Sequence, residues 1–397
     1  MLTLDNVYRA SYVLKDVVRK TDIIYAPKIK PGTELYLKTE NLQTTGSFKI
    51  RGAYYKMSRL SADEKARGVV ACSAGNHAQG VALAAKKSGI KSVICLPDGA
   101  PISKIEATKS YGAEVCLVEG VYDDAYKKAI SLRDELGYTF IHPFNDEDVI
   151  AGQGTIALEI ADQLPDVDAV IVPIGGGGLI SGISYTLKMI NPNIKVYGVQ
   201  ATGAPSMLNS VKEHEIQELD RVSTIADGIA VKKPGDLTYD ICSKYVDEIV
   251  SVNDDEISAA ILALMEQQKL VTEGAGAVAV AAVMFGKIDL TGKKAVALLS
   301  GGNIDVTILS RVIKRGLLMS GRSCQLMIEL VDKPGQMKDV ATIIADLGGN
   351  VTSVHHERAN EGSDVNGCYL RIILETRNYD HIYEIKTALQ NAGFKLL

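Results

Sequence analysis

A lysine set among small and apolar residues is the first feature of this sequence that could do chemistry. In Thr44-Thr45-Gly46-Ser47-Phe48-Lys49-Ile50-Arg51-Gly52-Ala53, Phe48 and Ile50 flank Lys49. Stripping water from the amine would lower its pKa and make it a nucleophile toward an aldehyde-bearing cofactor. The plain alternative is a solvated lysine at a helix start. A second segment, Ser73-Ala74-Gly75-Asn76-His77-Ala78-Gln79-Gly80, joins an apolar run to a helix-like one. Unbonded first-turn amides and the helix dipole favour an anion such as a carboxylate there, and the Asn76 amide could meet a planar ring substituent. The alternative makes Ser73 and Asn76 helix caps and His77 a packing residue.

Two glycine loops complete the set. Gly175-Gly176-Gly177-Gly178-Leu179 follows a strand-like run and opens a helix, so its backbone can wrap a phosphate with no side chain in the way. The spacing does not suit a dinucleotide. Ile180 and Ser181 fall where a third glycine belongs, and the next strand ends in Gln200 with no acid to hold a ribose. A monophosphate fits better. Leu299-Ser300-Gly301-Gly302-Asn303 is a similar strand-to-helix loop, where the Ser300 hydroxyl could face a ring nitrogen as a neutral partner.

These loops need a parallel α/β framework, and the chain supplies one. Val69 to Cys72, a helix from His77 to Ser88, Ser92 to Leu96, a helix from Ser103 to Ser110 and Glu114 to Val118 alternate as right-handed βαβ units. A second series starts near Ala151. It has strands at Ala169–Pro173 and Val196–Gln200, a polar stretch from Asn209 to Pro234, a long helix from Asp254 to Lys269 and a last buried strand at Ala295–Leu299. Ligands of such sheets bind beyond the carboxyl ends of strands, where the loops after Cys72, Pro173 and Leu299 converge. Beyond about Arg322 the order becomes strand, helix, strand, strand, helix, strand: Gln325–Val331, Gln336–Leu347, Asn350–His356, Gly367–Glu375, Tyr379–Asn391 and Phe394–Leu397. That is the ferredoxin-like βαββαβ pattern.

Composition excludes other classes. The chain's 397 residues exceed one ordinary core of roughly 100–200, so several lobes are expected. A net charge of −5, with no run of Lys and Arg interleaved with aromatics, argues against a nucleic-acid partner. The N-terminal segment reads as an amphipathic helix rather than a secretory signal, and no stretch reads as a membrane span. Cys72, Cys95, Cys116, Cys242, Cys324 and Cys368 form no CxxC pair and read as thiols in a reducing cytoplasm.

Lys49, Asn76, the loop Gly175–Leu179 and Ser300, in this order, resemble the fold-type II pyridoxal-phosphate enzymes, whose architecture is that of the tryptophan synthase β-subunit, and specifically the threonine dehydratases (threonine ammonia-lyases). The resemblance spans residues 1 to about 320. It implies a catalytic domain over 1–322, with a large lobe at about 1–50 and 151–322 and a small lobe at about 51–150. It further implies that Lys49 holds pyridoxal 5'-phosphate as a Schiff base beside Phe48, and that Asn76 binds the cofactor's 3'-oxygen. Gly175, Gly176, Gly177, Gly178 and Leu179 would enclose its phosphate, and Ser300 would face its pyridine nitrogen. Ser73, Ala74, Gly75, Asn76 and His77 would hold the substrate carboxylate. The freed Lys49 amine would then remove the Cα proton of threonine, the β-hydroxyl would leave, and hydrolysis would give 2-oxobutanoate and ammonia. Serine would be a second substrate.

The sequence departs from the related serine racemases at two places. They carry Ser-Ser-Gly-Asn-His where this chain has Ala74 in second position, which implies elimination without racemisation. They also place acids where this chain has Gln200 and Ser206, so no metal site of that type is expected. Residues 323–397 resemble an ACT domain, through Asp332-Lys333-Pro334-Gly335 and Asn350-Val351-Thr352-Ser353-Val354. This implies an amino-acid or nucleotide effector, allosteric control as in isoleucine biosynthesis, and a homodimer or tetramer, with a plain dimerisation domain as the alternative. A serine- or hydroxyaspartate-preferring dehydratase, or a non-catalytic amino-acid sensor, are the competing functional readings.

Overall fold

The computed structural model describes residues 2–100, 102–358 and 367–397. They form two compact units, Met1–Ile308 and Leu309–Leu397.

The first unit holds two sheets. The larger has six strands in the order Ile23–Tyr25, Glu34–Lys38, Lys294–Leu298, Ala169–Pro173, Lys195–Ala201 and Glu248–Val252. Only the outermost Ile23–Tyr25 pairs antiparallel; every other neighbour is parallel. The smaller sheet is wholly parallel, in the order Glu114–Val118, Ser92–Pro97, Val69–Cys72 and Thr139–Phe140. Strands covered by helices on both faces should be apolar throughout. Ala169–Pro173 and Val69–Cys72 are buried at every position.

Three features were not anticipated. Ile23–Tyr25, Glu34–Lys38 and Glu248–Val252 are strands, hidden in the sequence by their shortness and, in the latter two, by the glutamate that opens each. The polar stretch expected from Asn209 to Pro234 is entered by the helix Ser206–Glu213 and contains a 3-10 turn at Asp227–Ile229. The long helix expected from Asp254 to Lys269 is α-helical only to Ala263, continues as a π turn over Leu264–Gln268, and stops at Lys269 with φ +59°.

The helix that starts at Lys49 is held by glycines. A Cβ on Gly80, in the helix Asn76–Ser88, would lie 3.0 Å from the Lys49 carbonyl carbon, and one on Gly152, in Glu147–Gln163, would lie 2.6 Å from Gly52 Cα. Backbones at such range permit no side chain between them, so Lys49–Ser58 is wedged between the two helices.

The second unit is the expected ferredoxin-like sheet, antiparallel, in the order Asn350–Arg358, Gly367–Glu375, Ser323–Val331 and Lys395–Leu396. Strict alternation puts Leu326, Ile328 and Leu330 on the same buried face as Cys368, Leu370, Ile372 and Leu374. Val340 and Ile344 of Gln336–Asp346, and Ile385 and Leu389 of Tyr379–Asn391, close over that face. No disulfide joins the described cysteines, of which Cys72, Cys95, Cys242 and Cys368 are buried. No helix among the described residues is long and apolar enough to cross a membrane.

Candidate active site

The glycine loop and the Ser300 loop emerge side by side because the strands that precede them, Ala169–Pro173 and Lys294–Leu298, are parallel neighbours. The Lys49 loop is stitched to the second of these. Ser47 bridges Gly301, the Phe48 amide donates to the Ser300 carbonyl at 3.2 Å, and the Gly302 amide donates to the Gly46 carbonyl at 2.8 Å. Gly46 turns with φ +70°, and a Cβ there would strike Asn303 Oδ1 at 2.3 Å. Asn303 in turn donates to the Thr45 carbonyl at 2.7 Å.

Lys49 is half-buried, with its ammonium donating to the Pro143 carbonyl at 2.9 Å and lying 5.2 Å from the Phe48 ring centroid. Desolvation pushes its amine down to about 8, against the pull of Glu273. Such an amine is part-neutral near physiological pH, as a nucleophile or base must be.

Asn76 caps nothing. The N-cap is Gly75, and the Asn76 side chain instead donates to Glu273 Oε1 at 2.5 Å and accepts from Asn303 Nδ2 at 2.8 Å. Its two ends are thereby distinguished, and one N–H of its amide is left to turn toward a ligand oxygen. Ser73 Oγ accepts locally from the Gly75 amide at 3.1 Å. Ala74 is half-buried and contributes a methyl group only. His77 is buried, and its Nε2 donates to the Ile141 carbonyl at 2.8 Å. Burial, with the Lys49 charge nearby, pushes its imidazole down to about 3, so it stays neutral and is a fixed donor rather than an acid or base.

The loop Gly175–Leu179 is shaped by a residue that the sequence did not flag. A Cβ on Gly176 would meet the Phe144 ring at 2.4 Å, and one on Gly178 would meet Phe144 Cα at 2.8 Å. Gly177 adopts φ +99°, and its Cβ would strike Met207 at 2.7 Å; Gly175 faces Ile229 at 3.0 Å. Thr238 Oγ1 pins the Gly176 carbonyl at 2.6 Å. Because Pro143 receives the Lys49 ammonium and Phe144 backs the glycines, the lysine and the cradle share one wall. His142 fixes that wall: its Nδ1 accepts from the Phe144 and Asn145 amides at 3.2 and 2.8 Å, and burial pushes it down to about 4.

Glu273 is the other unflagged group. It is 6% exposed, and burial, aided by the Asp227 charge, raises it to about 7. Its backbone amide donates to the Gly301 carbonyl at 3.1 Å, and a Cβ on Gly301 would strike its carboxylate at 2.4 Å. The signal was present, since an acid in Val271-Thr272-Glu273-Gly274-Ala275 interrupts a run that is otherwise small and apolar. Ser300, 3% exposed, donates to the Ala275 carbonyl at 3.3 Å. Gln200 donates to the Ile174 carbonyl at 3.4 Å and accepts from the Leu208 amide at 2.7 Å.

Residues 14–301 match the family described as pyridoxal-phosphate dependent enzyme, and residues 325–391 match the ACT domain. The chain belongs to the pyridoxal-phosphate dependent enzymes. It is 50% identical over 398 residues to the L-threonine ammonia-lyase of Thermotoga maritima, covering 100% of this chain and 99% of that one. Among solved structures it resembles the processed form of threonine deaminase isoform 2 from Solanum lycopersicum, with a TM-score of 0.74, 39% identity and coverage of 78% and 93% of the two chains. It also resembles maize serine racemase, with a TM-score of 0.75, 34% identity and coverage of 80% and 98%.

The residues present suit pyridoxal phosphate. An aldehyde needs the depressed amine of Lys49, and a phosphate needs the side-chain-free amides of the glycine loop. A pyridine nitrogen and a ring oxygen need the hydroxyl and amide that Ser300 and Asn76 carry. The buried Ser47 Oγ, next but one to Lys49, has no hydrogen-bond partner among the described residues.

Proposed function

We propose that this pyridoxal-phosphate enzyme removes water and ammonia from L-threonine to give 2-oxobutanoate, and converts L-serine to pyruvate more slowly. The observation that carries the chemistry is the Lys49 amine, lowered to about 8 on the wall that continues into the glycine cradle. The choice of threonine is supported by the relative that is half identical over its whole length.

Bound here, the cofactor supplies an electron sink that stabilises negative charge at the substrate Cα. Lys49, whose amine is poised near the working pH, takes the Cα proton. The first-turn amides that follow Ser73, Ala74 and Gly75 hold the substrate carboxylate, with neutral His77 fixing the start of that helix. Asn76 positions the cofactor's ring oxygen, Gly175 to Leu179 receive its phosphate, and Ser300 meets its ring nitrogen without a charge. Phe48, beneath the Lys49 stem, keeps water from the amine. The hydroxyl departs from Cβ with a proton as water; the released enamine takes a proton at Cβ to become the imine, and water adding at the imine carbon frees ammonia, so the water lost equals the water returned and no oxidant is consumed. Ala74 offers no acid on the opposite face, which favours elimination over racemisation.

The ACT unit supports control by a small molecule, for which isoleucine, valine and a nucleotide are the effectors to try, acting through different affinities for two states of an oligomer. The test is 2-oxo acid release from threonine and serine by wild type and Lys49→Ala, with absorbance spectra and each effector in turn. A yellow wild type that releases 2-oxobutanoate, beside a colourless and inactive variant, is expected. Faster serine turnover would make it a serine dehydratase. A wild type with no turnover on threonine, serine or hydroxyaspartate would leave a sensor. Effectors without influence, or a gel-filtration mass of one chain, would remove the regulatory reading.

A further inference from the structure

The ACT unit gathers three different metal-binding side chains in one place. Asp332 follows the strand Ser323–Val331, His356 lies near the end of Asn350–Arg358, and Cys368 stands at the start of Gly367–Glu375. They are far apart in chain order, so their spacing predicted no metal ligands. The sheet register is what unites them. His356 pairs with Leu370, two residues from Cys368, and Cys368 pairs with Leu330, two residues before Asp332. Directly paired residues share a face and alternate residues keep it, so His356 and Cys368 lie on the same side of the sheet, above the end where the Asp332 turn leaves it.

His356 Nε2 lies 3.1 Å from Cys368 Sγ, and one ligand atom from each of Asp332, His356 and Cys368 falls within 4.8 Å of the other two. Among the described residues this is the one such group of three. Zinc bonds of about 2.0–2.3 Å in a tetrahedral site put neighbouring ligand atoms roughly 3.3–3.8 Å apart, so closure asks for shifts of only about 1 Å. Cys368 is 1% exposed whereas Asp332 and His356 are exposed. The sulfur is therefore the buried anchor, and the shifts fall on the two exposed side chains.

We propose that Asp332, His356 and Cys368 bind one zinc ion. A sulfur, an imidazole and a carboxylate together select a borderline-soft ion and disfavour calcium or magnesium, which want oxygen alone. Three protein ligands leave a fourth position for water or for an anionic oxygen of a small molecule. A cavity of about 370 Å³, lined by Pro334, Gly335, Gln336 and Met337, adjoins the three side chains and has room for such a group. Binding converts the Cys368 thiol to thiolate and releases its proton to solvent, so affinity rises with pH.

The full-length protein, stripped with a chelator and dialysed against zinc, is analysed for metal by emission spectroscopy beside His356→Gln, Asp332→Asn and Cys368→Ser. The wild type is expected to keep about one zinc per chain and each variant to bind more weakly by well over the ~10–100-fold that outer-sphere groups contribute. Cobalt in place of zinc should give thiolate charge-transfer absorbance that Cys368→Ser lacks. His356 is exposed, so His356→Gln tests the site without disturbing the core, and far-UV circular dichroism verifies its fold. A wild type that retains no zinc, or a His356→Gln protein that retains as much, overturns the proposal. Neither result depends on turnover of threonine.

Discussion

The Asn76 amide donates to Glu273 Oε1 at 2.5 Å, tying the start of the helix Asn76–Ser88 to a buried acid raised to about 7. A raised carboxyl pKa means that the fold prefers the neutral acid. Its stabilising contribution is complete below the ordinary carboxyl value and is lost as pH rises through about 7. Glu273→Gln keeps an amide in place of the neutral acid and removes that loss. Thermal melts of cofactor-free protein should show the variant gaining on wild type from about pH 5 to about pH 8, by up to ~3 kcal/mol. In the loaded enzyme, kcat/KM for threonine should lose an inflection near neutrality. A stability gap that is the same at both pH values would show that Glu273 does not titrate in this range.

Lys49 gives a second pH dependence, of opposite sense in charge. Burial lowers its amine to about 8, so capture of pyridoxal phosphate by stripped protein should quicken about tenfold per pH unit below that value and level off above it. Stopped-flow absorbance would follow the yellow product. A rate still climbing beyond about pH 10 would mean that Lys49 is as solvated as an ordinary lysine.

Gly176 and Phe144 are coupled by shape. A methyl group on Gly176 would sit 2.4 Å from the ring, so Gly176→Ala should displace Phe144 and, through Pro143, the carbonyl that receives Lys49. Overpacking of this kind costs about 1–3 kcal/mol. The expected result is at least tenfold weaker cofactor retention, partly restored in Gly176→Ala/Phe144→Ala, where every ring atom that meets the new methyl group is gone. Additive losses in the double variant would show that the two residues act separately.

Much of this site was legible because its loops carry local signals. Glycine runs after apolar strands announce a backbone cradle, and a lysine between Phe48 and Ile50 announces a desolvated amine. Phe144 and Pro143 escaped notice because their role depends on a contact with Gly176 and Gly178 across more than one helix, and the chain around them has no periodicity. Asn76 was read as a ring-binding amide or a cap, and nothing local could show that its partners are Glu273 and Asn303. The strands Ile23–Tyr25 and Glu34–Lys38, paired at one side of the larger sheet, were lost for a related reason: Lys38 looks like a solvated strand end, yet it is fully buried.

Lys38 belongs to a buried cluster that fixes the helix Lys49–Ser58 from the side away from Lys49. Arg51, two residues after Lys49, forks onto Glu40 through Nε and Nη2, both at 2.8 Å, and reaches Glu159 through Nη1 at 2.6 Å. Lys38 holds the other Glu159 oxygen at 2.6 Å, so two cations balance two anions with little water near. Removing one partner would strand a buried charge, and Arg51→Ala should cost about 3–5 kcal/mol. Arg51→Lys keeps the charge but cannot form the planar fork, so it should recover only part of the loss. Burial alone would raise Glu40, and the guanidinium outweighs it and holds the carboxyl below its usual range. The contribution of this pair is therefore present above the ordinary carboxyl pKa and fades as pH falls through the lowered one. Urea unfolding of wild type and Arg51→Lys at neutral and acid pH measures this: the difference should narrow in acid. An Arg51→Lys protein as stable as wild type at neutral pH would mean that the fork contributes nothing a single ammonium cannot.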